Sequence, residues 1–313
     1  MLWIPVALAG YFLNAVTALF DKYLLAGRIK APAVYAFFVS LFSLFGLVFI
    51  PFGFQFLSWQ TTGLFLLSGT FFLYGLVAFY AAMKHNEVSR IAPLVGTTLS
   101  VAALLFGYVL PDVLGEFTFT LERFFALTLL IGGGLLISFD LPIRRGERLP
   151  KLVLIAGVSL AISIVLLKYG YRDANFVSGL VWSRLGMFGA GLSLLLYPVF
   201  RREILLECAH FSLRRRSSVG TGAIFVLNKT LAGIASFLLT YATFLGPVSF
   251  VQALSGMQYV FLLAMAIPLS VRYQNIFGER LYFWDWFQKG CAIIIIGLGL
   301  WIASSSGVTL FTL

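Results

Sequence analysis

Ten stretches of mostly apolar residues recur along this chain of 313 residues, and each is about long enough to cross a bilayer as a helix. The stretches lie at 2–20, 32–52, 62–83, 88–110, 121–139, 151–168, 176–199, 217–244, 246–270 and 284–305. Small residues inside the stretches and short connections between them favour helices over a β-barrel. The sequence therefore predicts an all-α membrane protein with ten transmembrane helices.

The composition excludes an ordinary soluble fold. Hydrophobic residues make up 60% of the chain and charged residues only 11%, whereas about a quarter of a soluble domain is charged. Lipid must therefore solvate part of the apolar surface. The first stretch lacks a basic leading segment, and Asp21-Lys22 follows it where a signal peptide would have a small-residue cleavage site. We therefore expect it to be retained as the first helix.

Positive charges are distributed unequally between the two sides of the predicted bundle. The connections after helices one, three, five, seven and nine hold 17 of the 22 lysines and arginines, and the opposite side holds Arg123, Lys168 and Arg172. The remaining two, Arg184 and Lys229, lie within spans. Because cytoplasmic loops are enriched in lysine and arginine, we expect an inner (cytoplasmic) membrane protein with both termini outward. The same bias explains the net charge of +10 without nucleic acid.

Short matches follow the same order in the two halves of the chain. They are Lys22-Tyr23 with Lys168-Tyr169, Val88-Ser89 with Val248-Ser249, and Gly115-Glu116 with Gly278-Glu279. Because each half has five helices, an odd number, the second half must enter the membrane from the opposite side. Inverted repeats of this kind are common in secondary transporters, which bind substrate near the midplane. We predict two inverted five-helix repeats, 1–140 and 150–306, with the basic loop 200–216 inserted in the second.

Several of these motifs occur together in one known family. Helix one ends in Asp21-Lys22-Tyr23-Leu24-Leu25, Tyr80-Ala81-Ala82 precedes Val88-Ser89 and Pro93, and a Gly-Glu step precedes the fifth helix of each half. In this combination the chain resembles an EamA-type transporter of the drug/metabolite transporter superfamily over nearly its whole length. Arg184 matches an arginine often found early in the family's second helix, but Leu41 stands at the corresponding position in the first half.

The resemblance implies a particular architecture and activity. Eight helices would surround a central cavity, and helices five and ten would brace it from outside. The superfamily carries amino acids, sugars, nucleotide sugars, organic phosphates, choline and drugs, so the resemblance names no single substrate.

Two charged side chains fall inside predicted spans. Lys229 lies near the middle of helix eight beside Asn228, and it shares a helix face with Ser236 and Thr240. A charge at that depth costs at least ~2.5 kcal/mol and usually serves function. The alternative is a structural lysine that caps the carbonyls of a neighbouring helix. For Arg184, the alternative to an inward-facing role is snorkelling to the membrane surface.

Polar side chains on other helices extend the candidate site. Asn14 and Thr17 lie on helix one, Thr97 on helix four, and Gln252 and Tyr259 on helix nine. Each alone could hold two helices together, but the whole set favours a cavity. The predicted substrate-binding residues are therefore Asn14, Thr17, Thr97, Arg184, Asn228, Lys229, Gln252 and Tyr259.

The 12 acidic residues all fall in loops or at helix ends. A proton-coupled exporter of cationic drugs needs a carboxylate in the membrane, so the charge pattern favours an anionic or zwitterionic substrate. The sequence has no nucleophile paired with histidine, no metal-ligand spacing and no phosphate-binding glycine loop. We therefore expect a protein that is not an enzyme and that needs no cofactor or metal.

The sequence predicts a secondary transporter that moves a small organic anion or zwitterion by alternating access through a central cavity. One alternative is the flipping or export of an amphipathic or lipid-linked molecule. Another is a membrane scaffold that does not transport and uses the basic loop 200–216 for docking. The expected partners are a small-molecule substrate and the lipid bilayer, with no nucleic acid, and the oligomeric state is left open.

The charge bias predicts the side on which the C-terminus lies. A fluorescent protein that matures only in the cytoplasm, fused after Leu313, should stay dark, because an even number of spans returns the chain to the outer side. The same reporter inserted in the basic loop 200–216 should fluoresce and serves as the control. A bright C-terminal fusion would overturn the predicted orientation.

Overall fold

The computed structural model describes residues 2–25, 32–84, 88–109, 121–138, 151–213, 219–258, 260–262, 264–265 and 283–305. Every regular element in these ranges is a helix. The α-helices are α1 (Trp3–Leu25), α2 (Pro32–Ser43), α3 (Trp59–Lys84), α4 (Val88–Val109), α5 (Leu121–Ser138), α6 (Lys151–Gly170), α7 (Phe176–Leu194), α8 (Pro198–Leu213), α9 (Val219–Leu245), α10 (Val248–Ala253) and α11 (Phe283–Ser305). A 3-10 helix over Leu44–Phe52 continues α2.

Four helical segments are long and apolar enough to cross a membrane. They are Trp3–Phe20, Pro32–Phe52, Trp59–Ala82 and Lys151–Gly170. The bent pair Phe176–Leu194 and Pro198–Leu206 would make a fifth as a broken span, and Leu94–Ala103 and Phe124–Gly133 are shorter apolar helices. The chain therefore has the helices of a multi-pass membrane protein, which confirms the all-α prediction. The count of ten spans and the inverted repeat stay predictions.

The predicted seventh helix ends earlier than expected. It was expected to reach residue 199, but α7 stops at Leu194 and a new helix begins at Pro198. Proline has no N–H to donate, and its ring would clash with the carbonyl four residues earlier, which belongs to Leu194. The segment after it was expected to be a loop over 200–216, but α8 is helical through Leu213.

Two other predicted spans are irregular. Span 32–52 changes from α-helix to 3-10 helix after Ser43, and the 3-10 part contains Pro51. Span 246–270 begins as predicted after a very short connection, since α9 ends at Leu245 and α10 begins at Val248. That helix is interrupted by a turn at 254–255, and the described residues between 256 and 265 are again helical.

Close packing in the bundle depends on small residues. α3 packs against both α6 and α7, α1 packs against α9, and α5 packs against α11. Gly69 of α3 faces the backbone of Ser183 and Met187 in α7, while Gly186 of α7 faces the backbone of Leu66 in α3. A side chain at either glycine would overlap the opposing main chain, so the two helices cross in backbone contact. Such crossings are typical of membrane helices.

The crossing between α3 and α7 predicts that an alanine destabilises the protein at one glycine of α7 and not at another. Gly186→Ala should lower the free energy of unfolding by about 1–3 kcal/mol, because the new methyl group meets backbone that cannot yield. Thermal unfolding of the purified protein in detergent measures this. Gly189→Ala, one turn further along α7, meets nothing within 4 Å and should not destabilise the protein. Equal melting temperatures for the two variants would contradict the backbone contact.

Candidate functional site

Lys229 is buried where α9 meets α2. Its side chain is only 8% exposed, and the neighbouring Asn228 is fully buried. The Nζ atom donates to the hydroxyl of Tyr35 in α2 and lies 4.3 Å from the centre of that ring. The Tyr35 ring in turn packs edge-on against Tyr80 of α3, with ring centres 4.6 Å apart. A phenol on another helix is thus one of the groups that this lysine contacts.

Arg184 extends from α7 toward the same helix α9. Its Nη2 atom donates to Oγ of Ser236 at 2.8 Å, and Nη1 lies 4.0 Å from the sulfur of Met187. The aliphatic part of the side chain rests on Gly46 of the 3-10 helix, where a side chain would overlap it. Ser236 lies nine residues before the end of α9, roughly 13 Å along the helix. The guanidinium is thus held within the bundle, which favours the inward-facing interpretation over snorkelling.

The two cations occupy one side of α9. Lys229 and Ser236 are seven residues apart, which is about two helical turns and roughly 10 Å along the axis. Arg184 has no carboxylate partner in the part of the chain that the structure describes. The acidic side chains whose burial is described, Glu122, Asp173 and Glu203, are all exposed. Arg184 and Lys229 therefore place two positive charges on one side of α9, next to hydroxyl and aromatic groups.

A cluster of aromatic rings lies between Arg184 and the turn after α6. Phe176, at the start of α7, contacts Tyr171, Phe237 and Tyr241 at ring-centre distances of 6.1, 5.3 and 5.0 Å. The rings pack on one another. Tyr171 is buried and its hydroxyl has no hydrogen-bond partner among the described residues. Burial raises the pKa of that hydroxyl, and the positive charge of Arg184 lowers it by less, so the phenol stays neutral.

The other predicted site residues lie on α1, α4 and α10 or outside the described residues. Thr17 donates to the carbonyl of Asn14 within α1, so its hydroxyl is satisfied locally. Gln252 is buried in α10, and its backbone carbonyl accepts a hydrogen bond from Ser100 of α4 at 2.9 Å. Thr97 is half-buried, and Tyr259 lies outside the described residues. The described contacts do not join these residues to Arg184 or Lys229, so their convergence on one cavity stays a prediction.

Lys168 has a role that the sequence pattern did not reveal. Its Nζ atom donates to the carbonyl oxygens of Thr243, Phe244 and Gly246 at 3.0, 3.2 and 2.9 Å. These carbonyls form the C-terminal end of α9, where the helix has no further N–H groups to satisfy them. A cation also interacts favourably with the negative end of the helix dipole. Lys168 thus caps α9, which is the kind of role that the sequence offered as the alternative for Lys229.

No model of a known protein family matches the chain, and none of the curated proteins compared with it does either. The fold and the site together define only a broad class of protein. The chain is a multi-pass helical membrane protein, and Arg184 and Lys229 lie inside its bundle.

The cap on α9 predicts a specific loss of stability. Lys168→Met should lower the melting temperature, because buried carbonyls left unpaired cost about 1–3 kcal/mol. Lys151→Met removes the same charge from the exposed start of the same helix and should leave the melting temperature unchanged. If both variants melt like the unmodified protein, Lys168 does not cap α9.

Proposed function

We propose that this protein is a secondary transporter for a small organic anion or zwitterion, and that it belongs with the EamA-type transporters that its sequence resembles. The observation that carries the proposal is the pair Arg184 and Lys229: Lys229 extends from α9 toward α2, and Arg184 reaches from α7 to α9 about two turns further along. Each charge lies inside a helix bundle, where an ionised group is costly and marks a functional site by default.

The partners of Arg184 favour an anionic group on the substrate. Its guanidinium contacts a serine hydroxyl and a thioether, and neither neutralises a positive charge. A carboxylate or phosphate would do so, and the planar guanidinium can bind either with two parallel hydrogen bonds. Lys229 adds a second positive charge about two turns away on α9. The distance of roughly 10 Å between the two positions along α9 suits a small metabolite.

Neutral groups around the cations would accept the rest of the substrate. Tyr171 has a buried hydroxyl without a hydrogen-bond partner among the described residues, and the rings of Phe176, Phe237 and Tyr241 pack beside it. Aromatic faces attract an ammonium group. A zwitterion could therefore place its anion on Arg184 and its cation toward the rings. In this proposal the protein lies in the inner membrane with both termini outward, and the two five-helix halves rock around the site.

The first test is a search for the ligand by thermal shift. Purified protein is heated with metabolites chosen in matched sets that share a carbon skeleton and differ only in charge. A ligand that binds the folded state raises its melting temperature. Anionic or zwitterionic members should raise it and their esters should not. A set in which only the cationic member raises the melting temperature would overturn the proposal.

The proposal also predicts how Lys229 affects transport and stability separately. Lys229→Met should abolish uptake of the identified ligand into liposomes, while the melting temperature stays equal or rises because the burial cost of the charge is gone. Lys151→Met, at an exposed position, should transport normally. Uptake by the Lys229→Met variant at the unmodified rate would remove this residue from the site.

A further inference from the structure

The bend after α7 gives α8 an unusual direction. The axes of Phe176–Leu194 and Pro198–Leu206 differ by 97°. The turn between them is tight, with hydrogen bonds from the N–H groups of Leu195, Leu196 and Tyr197 to carbonyls three residues back, at 3.0 to 3.3 Å. In a bilayer that α3 spans, a helix perpendicular to α7, which packs against α3, would lie along the membrane surface.

One side of α8 is fixed to the bundle. Ile204 is 1% exposed and belongs to a buried cluster with Val34 and Phe37 of α2 and Leu194 of α7, and Phe200 packs against that cluster. Residues 200 and 204 are one turn apart and lie on one face. This anchorage determines which residues of α8 face away from the protein.

The other side of α8 mixes arginine with leucine. Arg201 and Arg202 are exposed, and Leu205 and Leu206 are 53% and 52% exposed. These four residues, with Leu196 and Pro198, line an open cavity of about 370 Å³. The cavity thus offers two guanidinium groups beside apolar side chains at the level where a surface helix meets lipid. A phospholipid has the complementary parts, a phosphate next to acyl chains.

The charge of this region selects the kind of lipid. Within α8, Glu203 and Glu207 balance Arg201 and Arg202 in number, and Arg214, Arg215 and Arg216, which follow α8 in the sequence, make the region positive. The excess of lysine and arginine predicts that this connection lies on the cytoplasmic side. Anionic phospholipids are concentrated at the cytoplasmic leaflet and attract such segments. A neutral lipid would gain little from the extra positive charge.

We propose that the outward surface of α8 binds an anionic phospholipid of the surrounding leaflet. Arg201 and Arg202 hold its phosphate, and Leu205 and Leu206 contact its acyl chains. The lipid thereby secures the bend between α7 and α8 at the membrane surface. This site is separate from the cations on α9 and does not depend on transport.

The test compares lipids and variants by thermal shift and by lipid titration of the full chain in detergent micelles. Phosphatidylglycerol should raise the melting temperature, and phosphatidylcholine with the same acyl chains should not. In the double variant Arg201→Gln and Arg202→Gln, affinity for phosphatidylglycerol should fall roughly 30-fold, the effect expected for two surface arginines. The variant with Lys151→Gln and Arg172→Gln removes two exposed charges elsewhere and should bind like the unmodified protein.

Three further measurements separate the possible causes. Replacing both arginines by lysine keeps the charge and should retain most of the affinity. The glutamine variant should melt without added lipid at the temperature of the unmodified protein, which excludes misfolding as the cause of its lost affinity. Glycerol 3-phosphate, which has the headgroup chemistry without acyl chains, should cause no shift. An equal response to both lipids, full binding by the glutamine variant, or a shift with glycerol 3-phosphate alone would each overturn the proposal.

Discussion

In hydrocarbon, each backbone N–H and C=O group must find its partner within the protein, because water is absent and an unpaired group costs several kcal/mol. Helices meet this requirement along their length but not at their ends. The C-terminus of α9 is buried among other elements, and there Lys168 supplies three donors from α6 to three carbonyls. Without that ammonium group, the tight connection from α9 to α10 would leave polar backbone unsatisfied inside the bundle.

The same requirement explains why two lysines in one protein have different roles. Lys168 donates to backbone carbonyl oxygens at the end of α9, which have no other donor within the helix. Lys229 meets a tyrosine hydroxyl, and Arg184 a serine hydroxyl, both of which could find other partners. The hydroxyl and the thioether beside Arg184 compensate its charge poorly. This contrast supports a ligand beside Arg184, and it depends on the identity of the partner atoms more than on burial.

Helices can be predicted from the sequence because the apolar period and the length of a span are properties of neighbouring residues. The connection at Gly246-Pro247 is predicted correctly, but the seventh helix is predicted to continue past Leu194 although Pro198 follows. Residues 195–200 are mostly apolar, so hydropathy does not reveal that the helix axis changes direction there. The partners of Lys168, Arg184 and Lys229 lie on other helices, and their identities depend on packing that a single sequence does not display.

The crossing of α3 and α7 at Gly69 and Gly186 has a mechanical consequence. Main chain rests directly on main chain there, with no flexible side chain between the helices to absorb a displacement. Close-packed backbone transmits strain instead of deforming. α3 and α7 therefore behave as one rigid unit at this crossing. A rearrangement of the bundle would instead have to occur at contacts made through side chains, such as the contact between Arg184 of α7 and Ser236 of α9.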